Sequence, residues 1–402
     1  MKPVIIVGAG FSGLTLAYAL RQLDVPVRIF ESASGPGGLI ATKKSNYGLI
    51  ETAANAMLAD AEVERLFHEL GLEFAVPERS RRKRYIFWAK PRRWPVGLWT
   101  TLKLIRVPIF RFLTIDHVRP HAGESVAGWC ERVINEKFLK RVLAPALQGV
   151  FAGDVDKMSA SIAIGNMFKK HRRGRRRGSI APRRGMGDLI RALTEDLKNR
   201  GVEIEYGVSY KLTERPEQPT VVCTSVWAAA QIVSGYDPEL AGSLAMCECL
   251  PLITVTAFFE PHRKDLQGFG CLFPESQGFH SLGVLFNDCI FAGRSNVRSE
   301  TWILGGSKNM GVADLSDDDI KRQILHDRGK IVFERSDVKE WNITRWPQAL
   351  PHYTVAWEDT LRRLKVNRPL FLHGNYLGQM GLSRIQHRST ALAKQLKDLY
   401  VS

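Results

Sequence analysis

The chain has 402 residues, 45% of them apolar and 24% charged, an ordinary globular composition whose length suits two or three domains rather than one core. No uncharged apolar run is long enough to span a bilayer, and six cysteines without a Cys-x-x-Cys pair argue for reduced thiols rather than a disulfide framework. The net charge of +16 is concentrated: residues 79–119 hold twelve Lys/Arg against Asp116 alone, and residues 169–184 hold nine with no acid.

The chain opens on Met-Lys-Pro and enters a strand at once, so no signal or transit peptide is expected. Pro3-Val4-Ile5-Ile6-Val7-Gly8-Ala9-Gly10-Phe11-Ser12-Gly13-Leu14 reads as a buried strand, a Gly-x-Gly-x-x-Gly turn and a helix start. Gly8 permits the sharp turn, Gly10 lets the backbone approach a pyrophosphate, and Gly13 lets the helix pack on the sheet. The helix amides at Phe11 and Ser12 then face the phosphates. A second strand, Val25 to Phe30, ends at Glu31, 23 residues after Gly8, near the ~20 expected for an acid that binds ribose hydroxyls. Gly35-Pro36-Gly37-Gly38-Leu39 adds a second glycine turn.

Residues 60–75 read as a helix with Val63, Leu66, Phe67 and Leu70 on one face, stopped by Gly71. The first basic stretch interleaves cations with Tyr85-Ile86-Phe87-Trp88, Trp94, Trp99, Phe110 and Phe112. Within it Leu98, Thr101, Leu102 and Ile105 share a helical face, with Lys103 and Arg106 off it, which is the pattern of an interfacial amphipathic segment. Such charge also suits nucleic acid, but no nucleic-acid fold accompanies it. Residues 124–170 are again helical, 169–178 a basic low-complexity loop, and a helix follows Arg184-Gly185-Met186-Gly187. Short strands are expected at 202–205 and 221–224. Alternation from 250 to 310 predicts an antiparallel sheet (Leu252–Phe259, Gly270–Phe273, Ser281–Phe286, Thr301–Gly305). Near the C-terminus, Leu370-Phe371-Leu372-His373-Gly374-Asn375-Tyr376-Leu377-Gly378 is an apolar strand ending in glycine, and a last helix lies between Arg384 and Leu399.

The glycine turns, with Tyr47-Gly48 and Glu51, resemble the FAD-dependent amine oxidase and protoporphyrinogen oxidase superfamily. Further segments are similar to the protoporphyrinogen oxidase family: Gly268 to Pro274, Leu282 to Phe286, Phe291 to Arg294, Ile303 to Ser307, Arg345-Trp346-Pro347 through Val355, and Gly374 to Gly378. The resemblance implies an α/β chain with a split Rossmann-type FAD-binding domain (1–58, 182–245 and 356–402), an antiparallel-sheet substrate domain (246–355) and an α-helical, basic and aromatic membrane-facing domain (59–181). It implies FAD contacts from Gly8, Gly10, Phe11, Ser12, Gly13, Glu31, Gly38, Leu39, Val208, Trp346, Gly374, Asn375, Gly381 and Leu382. It implies substrate contacts from Asn55, Leu272, Leu285 and Ile303, and from Arg84 as partner of a propionate.

The implied reaction is oxidation of protoporphyrinogen IX to protoporphyrin IX in haem biosynthesis, in three two-electron rounds, with hydride passing to flavin and then to dioxygen to give hydrogen peroxide. No general base or metal is assigned, and His373 reads as a packed histidine. Coproporphyrinogen III is the alternative substrate. An amine oxidase, a carotenoid desaturase and a non-catalytic flavin or tetrapyrrole carrier are further readings, the last motivated by departures from the family pattern at Ala53-Ala54 and Gln379. Partners are the porphyrinogen, dioxygen and a peripheral membrane surface at the inner face of the cell membrane, with a cytoplasmic location and no nucleic acid. A homodimer is compatible with all of this.

Overall fold

The structure is a computed structural model that describes residues 2–77, 83–94, 115–168, 178–262, 265–332 and 337–401. The amphipathic segment 98–106 and the basic run 169–177 lie outside the described residues. Five parallel strands form the cofactor-type sheet in the spatial order Glu203–Tyr206, Val27–Glu31, Val4–Val7, Thr220–Val222, Leu370–Leu372. The chain's first strand therefore sits at the centre, and its last lies at an edge.

Val4 to Val7 are buried on both faces, as a covered parallel strand requires. Alternate side chains serve different layers. Val4 and Ile6 pack with helices Phe11–Arg21, Met186–Asn199 and Leu382–Val401 through Leu14, Ala17, Leu189, Leu193, Ala393 and Leu396. Ile5 and Val7 pack with helices Val226–Val233 and Pro238–Ala245, and also with Trp129, Leu147 and Phe151 of the 126–151 helices.

A seven-stranded sheet follows in the order Val338–Pro351, Cys249–Phe259, Arg298–Gly305, Ser281–Phe286, Gly270–Leu272, Arg84–Trp88, Lys90–Arg93. The first five strands pair antiparallel, and the four predicted between 250 and 310 are all present within a few residues of their expected bounds. Two contributions differ from the sequence expectation. Val338–Pro351 is one long edge strand, its pattern hidden by Pro347, which sits where the pairing shifts register between Leu250 and Leu252. Arg84–Trp88 joins the sheet parallel to Gly270–Leu272, so the stretch 59–181 is not wholly helical.

One face of this sheet is sealed by helix Asp317–Ile331, with Phe87, Ile253, Val255, Cys271, Val284, Trp302, Ile320 and Ile324 in a common core. The other face meets the cofactor-type domain. All six cysteines are free. No helix of the described residues is long and apolar enough to cross a membrane.

Candidate functional site

At the C-terminal end of strand Val4–Val7, Gly8 takes φ +106°, a left-handed value that a side chain would strain. A Cβ on Gly13 would fall 1.9 Å from the Gly8 carbonyl oxygen, so the helix start can lie against the turn only without one. Nothing stands within 4 Å of the corresponding position at Gly10. The second glycine turn is bound to the first: the Gly37 N–H donates to the Ala9 carbonyl at 2.9 Å, and Gly38 (φ +59°) lies against the Gly10 Cα. Phe11 is buried in the core and Ser12 is half-buried in the first helical turn. The open space before Gly10, bounded by two side-chain-free turns and a helix N-terminus, suits a dinucleotide pyrophosphate.

Glu31 closes one end of this cradle. Its carboxylate accepts from the Ala9 N–H at 2.6 Å and the Ala33 N–H at 2.8 Å, while the Glu31 carbonyl accepts from the Val208 N–H at 2.9 Å. Val208 therefore lies beside Glu31.

The C-terminal motif arrives from the far edge of the same sheet. After strand Leu370–Leu372, a Cβ on Gly374 would meet the Tyr376 ring at 2.6 Å. The half-buried Asn375 has its carbonyl bonded to the Tyr353 hydroxyl. Gly381 (φ +96°), with open space before it, starts the last helix, and Leu382 packs into the first core. That helix is locked to the first one by a hydroxyl contact between Thr15 and Ser389 at 2.9 Å. Ser389 also meets His373 Nε2 at 2.8 Å. Burial, with the neighbouring Arg388 charge, lowers the His373 pKa to about 3, so this histidine is a neutral core group.

Thr52 joins the two sheets. Its hydroxyl donates to the Leu39 carbonyl at 2.7 Å and accepts from the Ala41 N–H at 2.9 Å. Its carbonyl accepts from Trp346 Nε1 at 3.0 Å and from the Thr254 hydroxyl at 3.0 Å. Beneath it, the buried carboxylate of Glu51 pairs with Arg294 and accepts from the Met186 N–H and the Thr42 hydroxyl. Leu39 itself is 37% exposed. Trp346 thus stands where the second glycine turn meets the seven-stranded sheet.

Strand register places the apolar candidates together. Leu272 lies opposite Gly283, Gly283 opposite Ile303, and Ile303 opposite Thr254, so their side chains share a face. Leu285, two residues beyond Gly283, and Arg84, opposite Gly270 and hence in line with Leu285, share it too. Leu272, Leu285 and Ile303 are only half-buried there. Helix Ala144–Phe151 roofs one side, with Leu272 Cδ2 reaching within 2.5 Å of where a Cβ on Gly149 would stand. Arg84 is exposed, its guanidinium 4.9 Å from the Phe269 ring centre, and it has no carboxylate partner among the described residues. Asn55 is half-buried, three residues after Thr52.

The predicted residues therefore form two groups that meet at Thr52 and Trp346: a glycine-lined cradle and an apolar sheet face with a cation at its edge. Sequence reasoning did not find Thr52, Thr15 or Ser389, since a lone hydroxyl carries no spacing signal. Nor did it find Arg141, whose guanidinium lies 5.5 Å from the Trp88 ring centre.

The sequence matches the profile of the flavin containing amine oxidoreductase family over residues 11–387. It is 26% identical to protoporphyrinogen oxidase 2, chloroplastic/mitochondrial, of Arabidopsis thaliana, covering 100% of this chain and 94% of that protein. It is 28% identical to coproporphyrinogen III oxidase of Staphylococcus aureus (strain NCTC 8325 / PS 47), covering 91% of each. Among solved structures, cyclohexylamine oxidase from Brevibacterium oxydans IH-35A shares the fold with a TM-score of 0.72 at 17% identity, covering 98% of this chain and 99% of that one.

Proposed function

Because the chain belongs to the flavin containing amine oxidoreductase family, and its glycine cradle fits FAD, we propose that it is an FAD-dependent porphyrinogen oxidase acting on protoporphyrinogen IX. One observation carries the reading. Arg84, Leu272, Leu285 and Ile303 share a single sheet face that runs to Trp346 and Thr52, beside the cofactor cradle. An apolar face with one cation at its margin suits a flat macrocycle bearing carboxylates.

Bound FAD supplies the two-electron acceptor, and dioxygen is the proposed terminal acceptor, yielding hydrogen peroxide. The protein's part is placement. Gly8, Gly10, Gly13 and Gly38 keep side chains away from the pyrophosphate, and the first helix directs its amides there. With FAD bound, Glu31 would accept from ribose hydroxyls, Gly374 and Gly381 would bring the start of the last helix towards the ring, and Trp346 would border the flavin. Leu272, Leu285 and Ile303 hold the macrocycle and exclude water, Asn55 contacts it from the cofactor side, and Arg84 fixes its register through a propionate.

Coproporphyrinogen III is a second reading. The hairpin that holds Arg84 pairs Ile86 with Arg92, so Arg84 and Arg92 lie on the same face, as a substrate with more carboxylates would favour. The proposal extends to location: the stretch 95–108 meets the inner face of the cell membrane from the cytoplasm, its cations against anionic headgroups. The test is purified protein mixed in air with each porphyrinogen in turn. Porphyrin fluorescence and peroxide appearing faster with protoporphyrinogen IX support the first reading, and faster with coproporphyrinogen III the second. Yellow protein that turns over neither rejects both.

A further inference from the structure

At the outer edge of the five-stranded sheet, between helix Val355–Arg363 and helix Leu382–Val401, lies a cavity of about 400 Å³. Leu361, Leu364, Val366, Phe371, Leu377 and Leu392 line it, and each remains half-exposed. Arg388 lines it as well. Burial lowers the pKa of this arginine, yet among the described residues its guanidinium has no hydrogen bond and no carboxylate partner. Two polar groups that feel its charge offer no counter-charge. They are His373 and Tyr376, both fully enclosed, with His373 Nδ1 and the Tyr376 hydroxyl themselves unpartnered.

A half-buried guanidinium beside apolar side chains and without a protein anion is free to pair with an anionic ligand. Its planar fork matches a carboxylate in bidentate geometry. The cavity volume falls within the roughly 300–1,000 Å³ of small-molecule sites. The second cation, Arg368, and Gln395 are exposed, so the half-buried part of the lining offers one positive charge, Arg388, beside six apolar side chains.

We propose that this cavity binds a medium-chain acyl carboxylate, its head paired with Arg388 and its chain laid along Leu361, Leu364 and Leu392. The site is separate from the glycine cradle and does not depend on which porphyrinogen, if any, the protein oxidises. Arg388 adjoins Ser389, which holds the first helix and His373, so the ligand would sit behind the C-terminal cofactor motif.

The test is calorimetric titration of the flavin-loaded protein with decanoate, decanol and acetate. Decanoate is expected to bind one to one, with decanol and acetate each weaker by about tenfold or more, since each lacks one half of the recognition. Arg388→Met should lose decanoate by a similar factor while keeping its flavin spectrum and a Tm no lower than wild type, because a half-buried charge without a carboxylate partner has been removed. Leu364→Trp, which fills the cavity and leaves Arg388 in place, should also lose decanoate. Equal binding of decanoate and decanol, undiminished binding in either variant, or a sharp fall in the Tm of Arg388→Met would each overturn the proposal.

Discussion

The hydroxyls of Thr15 and Ser389 lie 2.9 Å apart, enclosed between the first and last helices and separated by 374 positions of sequence. Thr15 has further acceptors in the Phe11 and Ser12 carbonyls, whereas among the described residues His373 Nε2 is partnered by Ser389 alone. Ser389→Ala should therefore orphan a buried imidazole nitrogen and cost about 1–3 kcal/mol. Thermal unfolding should show a Tm several degrees lower, with flavin released more readily on dilution. An unchanged Tm would mean that the two helices are held by packing alone.

Gly10 and Gly13 separate folding from cofactor binding. A methyl at Gly13 collides with the Gly8 carbonyl, so Gly13→Ala should yield little folded protein. A methyl at Gly10 meets nothing in the protein itself. Gly10→Ala should keep wild-type circular dichroism and lose most of its visible flavin absorbance. Retention of flavin by Gly10→Ala would place the pyrophosphate elsewhere.

Glu31→Gln keeps the shape but removes the charge that now accepts from Ala9 and Ala33. Charge-assisted hydrogen bonds are about twice as strong as neutral ones, so FAD affinity should fall on the order of tenfold. Fluorescence titration of flavin-stripped protein measures this directly, and an unaltered Kd would remove Glu31 from the ribose.

His373 predicts acid sensitivity. Its pKa is about 3 in the folded protein against about 6.5 unfolded, so between these values only the unfolded chain takes up the proton. Stability contributed by the neutral ring is complete above about pH 6.5 and is lost as pH falls towards 3. His373→Gln should flatten that part of the stability–pH curve in denaturant titrations. A variant with the wild-type slope would assign acid lability to other groups.

Arg84→Glu should raise the porphyrinogen KM by about tenfold or more while changing kcat less, as expected for lost binding rather than lost chemistry. Arg84→Lys should recover only part, since it cannot grip a carboxylate with two parallel bonds. Steady-state kinetics on both porphyrinogens checks this, and equal KM values for all three proteins would detach Arg84 from the substrate.

The parts of this molecule legible in sequence are those whose physics is local. Gly8, Gly10 and Gly13 declare a turn because sterics act over a few bonds, and Leu252 to Phe259 declares a strand because alternation is internal to it. The joint at Thr52 was not legible in the same way, because its meaning comes from Trp346 and Thr254, remote in sequence and brought close only by the sheets. Pro347 masked a long strand because a proline argues against a central position but not against an edge with a register shift. The pairing of Arg84–Trp88 with Gly270–Leu272 was invisible for the same reason: parallel neighbours share no short-range signal. The resemblance to a known family named candidate residues before register showed that four of them share one face.

The placing of Leu370–Leu372 at one edge of the parallel sheet, beyond Thr220–Val222, has a consequence for biogenesis. A nascent chain can assemble the antiparallel layer, yet it cannot close the nucleotide cleft until Leu370–Leu372 has emerged from the ribosome. Cofactor capture then waits for that strand. Premature termination before this strand should leave a colourless polypeptide fit only for proteolysis.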